Sequence, residues 1–232
     1  GPGLLTITAD TGNVDFTSTI GDAAALSGLS IVSAATIDFD DTVEIDDEHL
    51  DINGGTIGFD KAVTTTTDGK VTITNSGVLT IADAANMDLE GAFTVDGAGA
   101  VNTEGDISTT ADDIIFDGTG VVTIGVSNVS LDTETGLGDV RFDGDVTGPG
   151  LLTITADTGN VDFTSTIGDA APLSGLSIAS AATIDFDDTV EIDDEHLDIN
   201  GGTIGFDKAV TTTTDCKVTI TNSGVLTIAD SA

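Results

Sequence analysis

Short apolar–polar–apolar triplets recur along the whole chain. Leu5-Thr6-Ile7, Val14-Asp15-Phe16, Ile37-Asp38-Phe39, Val43-Glu44-Ile45, Leu50-Asp51-Ile52 and Ile57-Gly58-Phe59 come first. Val71-Thr72-Ile73, Phe93-Thr94-Val95, Val129-Ser130-Leu131 and Val140-Arg141-Phe142 follow. Strict alternation is the period of a strand with one dry face and one wet face. No segment carries a comparable helical stripe, so the pattern predicts a nearly all-β chain of very short strands. The connections are equally short and rich in Gly, Asp, Asn and Thr, the residues that turn a backbone.

A more specific pattern lies at the strand ends. Phe16 is followed at the fourth place by Ile20, Phe39 by Val43, Phe59 by Val63 and Phe142 by Val146. A connection this short between two inward residues turns a corner or forms an arc more readily than a regular hairpin. Comparable apolar positions then return at Leu29, Leu50, Val71, Phe93 and Ile114, a spacing of about 21 residues. One such coil cannot bury its apolar edge alone, and stacking on its neighbours supplies the core. The expected fold is an all-β parallel β-solenoid of about 21 residues per coil. The rival is a string of immunoglobulin-like sandwiches, which favour hairpins, longer strands and a core Trp or Tyr. The chain contains neither residue.

A second, longer repeat overlies the first. Residues 148–232 repeat residues 1–85 at an offset of 147, with 81 of 85 positions identical. The exceptions are Ala25/Pro172, Val32/Ala179, Gly69/Cys216 and Ala84/Ser231. Residues 1–147 are thus read as one complete unit of about seven coils, and 148–232 as a partial second unit continuous with it. At about 4.8 Å per stacked coil the unit would extend roughly 34 Å. Gly1 and Ala232 both fall inside repeating sequence, which suggests a window on a longer polypeptide. Cys216 replaces the Gly of an Asp-Gly-Lys turn. It is read as drift at an exposed turn, against the sharper reading of an intermolecular disulfide or reactive thiol.

Charge changes the picture next. Among 232 residues, 41 Asp and Glu oppose 5 Lys and Arg, a formal net charge of −36. Such a surface repels phosphate, which argues against nucleic acid and anionic membranes as partners. Membrane insertion is not expected either, since no apolar run approaches the roughly 18 residues of a membrane span. A mean hydropathy of +0.22 with 39% apolar residues is too high for an acidic disordered tail.

The run Thr11-Gly12-Asn13-Val14-Asp15-Phe16-Thr17-Ser18-Thr19-Ile20-Gly21, continued by Leu26-Ser27-Gly28-Leu29-Ser30-Ile31, resembles the repeats of very large bacterial surface proteins. Phe142-Asp143-Gly144-Asp145-Val146-Thr147-Gly148, leading into Leu151-Leu152-Thr153-Ile154, is of the same type. These are the filamentous-haemagglutinin-like and β-strand-repeat adhesins. The resemblance implies a secreted, right-handed parallel β-helix that forms a stalk, fibre or adhesin shaft at the cell surface. It also implies neighbouring units or copies of the chain as partners, and a host or cell-surface ligand.

Candidate chemistry is sparse. The chain has two His (His49 and its copy His196), one Arg (Arg141), one Cys and four Lys. His49 lies in an acidic turn, where a solvated imidazole is the plain reading and a metal ligand or general base the sharp one. Carboxylate pairs can be picked anywhere among 41 acids and therefore single out no catalytic site. No enzyme is expected. The acids do suggest a cation. Asp38, Asp40 and Asp41 flank Phe39, and Asp46, Asp47 and Glu48 follow within one corner. Their copies are Asp185, Asp187, Asp188, Asp193, Asp194 and Glu195. Stacking would bring like charges of adjacent coils to about 5 Å, and calcium takes six to eight oxygens from such groups. Calcium at these residues stands against a diffuse, solvated acidic surface. Rows of Thr, such as Thr64 to Thr67, admit an ice-binding reading, although Asp interrupts the outward positions and Thr is a good exposed strand residue. Asn128-Val129-Ser130 is a single glycosylation sequon.

Overall fold

The computed structural model describes residues 3–118, 120–193, 195–213 and 215–229. Every strand pairing in it is parallel, and no helix occurs among the described residues. The chain winds as a three-faced β-solenoid of about eleven turns, each turn laying one strand or bridge on each face. One face is an eleven-stranded sheet running from Leu4–Thr8 to Leu226–Ile228. The second holds a seven-stranded sheet from Asn13–Phe16 to Val146–Thr147. It is continued through bridges at Ile167 to the pair Val190–Ile192 and Val210–Thr212. The third is a nine-stranded sheet from Val43–Asp46 to Lys217–Asn222, with Ile20 and Leu26 bridged beneath it.

Alternation decides what each triplet does. Leu50 and Ile52 point inward and are fully buried, while Asp51 between them is exposed. The same inward positions stack from turn to turn: Leu29 on Leu50, Leu50 on Val71, Val71 on Phe93 and Phe93 on Ile114. Steps along this column range from 20 to 26 residues, and 21 is the commonest. The 26-residue step from Ile114 to Val140 accommodates the loop through Thr133–Gly138.

The corners read from the Phe spacing are where the chain changes sheets. Phe39 ends a strand of the seven-stranded sheet, and Val43 begins one of the nine-stranded sheet. Inside, the rings stack in columns set by the strand spacing. Phe16, Phe39 and Phe59 lie with centroids 5.0 and 4.8 Å apart. Phe116, Phe142, Phe163, Phe186 and Phe206 form a column of five with centroids 4.8–5.3 Å apart and planes within 2–4°. Each buried ring contributes about 1.5–3 kcal/mol through its area.

The two copies fold alike. Leu4–Thr8 meets Gly28–Ser33 with a register shift after Ile7, and Leu151–Thr155 meets Gly175–Ser180 with the same shift after Ile154. They do not lie on the same face. Leu4–Thr8 belongs to the eleven-stranded sheet and Leu151–Thr155 to the nine-stranded sheet. Likewise Phe16, Phe39 and Phe59 stack under the seven-stranded sheet, whereas their copies Phe163, Phe186 and Phe206 stack under the eleven-stranded one. From Leu4–Thr8 the chain makes six full turns, ending at Val140–Phe142, and moves two faces on, through Val146–Thr147, to Leu151–Thr155. The 147-residue unit therefore spans six and two-thirds turns, a third of a turn short of seven.

Candidate functional site

The acidic segment Asp38 to Glu48 is divided by the fold. Asp38 is a half-buried outward residue of the seven-stranded sheet, stacked between Asp15 and Gly58. Asp40 and Asp41 form the corner that follows, where the Asp41 carboxylate accepts the Thr42 N–H at 2.8 Å. The strand Val43–Asp46 then crosses the nine-stranded sheet. Asp47 and Glu48 therefore lie at the next corner, a full face away from Asp40 and Asp41. Asp47 takes a left-handed backbone there (φ 79°), a conformation Asp tolerates.

The copy repeats this one face round. Asp185 stacks between Asp162 and Gly205 on the eleven-stranded sheet, Asp187 and Asp188 turn the corner, and Asp188 accepts the Thr189 N–H at 2.8 Å. Asp193 lies beyond the next strand, and Glu195 stands 3.9 Å from His196 Nδ1. Asp194 lies outside the described residues. Among the described residues no three His, Cys, Asp or Glu side chains are placed together to hold a metal ion.

What the register does instead is separate the charges. Asp51 stacks between Ser30 and Thr72, Glu44 on Thr64, Asp46 on Thr66, and Asp132 between Ser108 and Thr155. Within the paired strands, carboxylate meets carboxylate only at Asp15/Asp38 and at its copy Asp162/Asp185. The hydroxyl neighbours also donate across coils. Thr66 and Thr213 donate to Asp46 and Asp193, Thr74 to Asp96, and Ser33 to Asp10 at 3.0 Å. Asp145 accepts from Ser165 and from Thr166 Oγ1. These hydroxyls escaped the sequence reading, which weighed Thr as an exposed strand residue or an ice-binding row and not as a partner of Asp. The signal was present in the alignment of the coils, where Asp at one turn faces Thr or Ser about 20 residues on.

Ionisation follows the neighbours. Burial, helped by Asp40, Asp60 and Asp15, pushes the Asp38 carboxyl above its ordinary range. Burial together with Asp187 and Asp207 does the same to Asp185. Burial and Asp187 raise Asp162, which the guanidinium of Arg141 partly offsets. Asp117 is raised by a carboxyl–carboxyl hydrogen bond with Asp143 on the next coil. Asp145 moves down, because Ser165 and Thr166 donate to its charged form. Arg141 Nη2 is 2.6 Å from Asp143 Oδ1 and stacks beside Asp162 at the start of the second copy's acidic row.

The interior carries a second polar set. Thr65 Oγ1 donates to the Gly69 carbonyl at 2.7 Å and accepts the Glu90 N–H at 3.1 Å. Thr133 Oγ1 donates to the Gly138 carbonyl at 3.1 Å, and Thr147 Oγ1 to that of Ala171 at 2.7 Å. Buried Asn75 donates to the carbonyls of Gly77 and Ala100 at 2.8 and 3.1 Å. All of these fasten corners. Cys216 is half-buried against the core, and burial pushes its thiol up, the opposite of an activated thiolate.

No family model, no curated protein and no solved structure matches this chain.

Proposed function

We propose that the chain is a segment of a giant secreted surface protein, a rod that serves as an extracellular fibre, stalk or adhesin shaft of the filamentous-haemagglutinin-like kind. The observation that carries this reading is the continuity of the rod through the repeat boundary. Phe116 and Phe142 of the first unit and Phe163, Phe186 and Phe206 of the second form one unbroken ring column. A repeat that stacks on its own copy with no linker extends a shaft instead of adding a separate domain.

The partners in this reading are neighbouring repeat units or further copies of the chain. In this reading the acids and hydroxyls are the solvated coat of a mechanical element and perform no catalysis. Calcium and other cations act on it as counterions between coils, not as the occupant of a preformed cage.

The test is length. Lengthening the chain by one complete 147-residue unit should lengthen the rod by about 32 Å in electron micrographs, at about 4.8 Å per coil. A second compact particle in place of a longer rod would sink the proposal.

A further inference from the structure

Two facts about the copies combine here. They are almost identical in sequence and pairing, and they sit a third of a turn apart around the axis. Asp51, exposed on the eleven-stranded sheet, has its copy in Asp198, equally exposed but on the nine-stranded sheet. The cause is the excess length of a few coils. The unit would close in seven turns if all its coils had 21 residues, but the step from Ile114 to Val140 takes 26 and that from Leu5 to Leu29 takes 24.

We infer that consecutive copies of this repeat present their equivalent surfaces in three directions in turn around the rod. The inference rests on the shaft reading above and deepens it. After three units, three times six and two-thirds or 20 turns, the same surface returns to the same side. A repeat of whole turns would instead set the same surface of every copy along one edge.

Two doubly labelled chains in a C216G background test this, each marked at its new thiols with biotin and monovalent streptavidin and imaged in negative stain. D51C/D185C carries both marks on the eleven-stranded sheet, and D51C/D198C carries them on equivalent positions of the two copies. Both markers of D51C/D185C should line one edge of the rod. Those of D51C/D198C should project a third of a turn apart. Both markers of D51C/D198C on one edge, with the control pair also aligned, would overturn the inference and leave the shaft standing. Compact beads with no common axis in either sample would bring down the shaft reading itself, and the inference with it.

Discussion

At the scale of single residues, spacing along the axis leaves little room at the corners. Gly77, Gly99, Gly120 and Gly144 stack in a column where each backbone lies on the next. A Cβ at Gly99 would sit 1.7 Å from the Gly77 carbonyl oxygen, and one at Gly120 would sit 1.9 Å from that of Gly99. Gly99→Val should therefore lower stability by about 3 kcal/mol or more, read from the urea midpoint. Gly3→Ala, with nothing within 4 Å of its Cβ, should leave the midpoint where it is. The carboxylates give a second residue-scale expectation. Asp38, Asp162 and Asp185 have folded-state pKa values raised above the ordinary 3.8. Such groups add stability that is fully present below 3.8 and lost as pH rises through the raised values. The melting temperature should rise as pH falls from neutrality toward 4, and D38N/D185N should flatten that rise. An unchanged slope in the double variant would assign the effect to other acids. None of this was legible from the sequence, because it depends on which coil faces which. A triplet states that Asp38 points outward, but only the register puts Asp15 beside it.

At the scale of elements, the triplets were legible because a period of two is a local property. Val43-Glu44-Ile45 and Leu50-Asp51-Ile52 are strands with the predicted residues inward. The Phe corners were legible for the same reason. The inward polar residues were not. Thr65, Thr103, Thr109 and Thr133 occupy inward positions at strand ends or corners and are buried, where alternation alone would ask for an aliphatic side chain. Their hydroxyls satisfy turn carbonyls that the next coil covers. Thr65→Val keeps the shape but leaves the Gly69 carbonyl and the Glu90 N–H without this partner. A loss of about 1–3 kcal/mol is expected, against almost none for Thr72→Val on the outer face. The ring columns give the larger effect. Phe186→Ala, with a ring above and a ring below, should cost about 3–5 kcal/mol, and Phe186→Leu much less. Equal effects of the two would mean that stacking of the ring outweighs the volume it fills.

At the scale of the molecule, the acid excess looks different once the coils are stacked. Read along the sequence, 41 acids on a short repeat suggest rows of like charge at strand spacing. The register breaks those rows with Thr, Ser and Gly and leaves two direct carboxylate contacts in the paired strands. Repulsion then acts through the longer-range field, which salt screens with a Debye length of about 10 Å at 0.1 M. Melting temperature should rise with sodium chloride, and calcium should act chiefly as a more effective counterion. A chelator added at constant ionic strength should leave the melt unchanged. A large chelator-dependent drop would instead require a specific site. The phase of the long repeat was hidden for a related reason. Sequence identity fixes the offset of 147, but whether that length closes on the same face depends on the lengths of all its coils added together.

Fibre diffraction from oriented chains tests the solenoid most directly. Coils stacked with parallel strands across the axis predict a sharp meridional reflection near 4.8 Å, from particles that appear in micrographs as thin rods of roughly 50 Å for eleven turns at that spacing. Compact beads without an axial 4.8 Å repeat, or strands running along the long axis, would contradict the account.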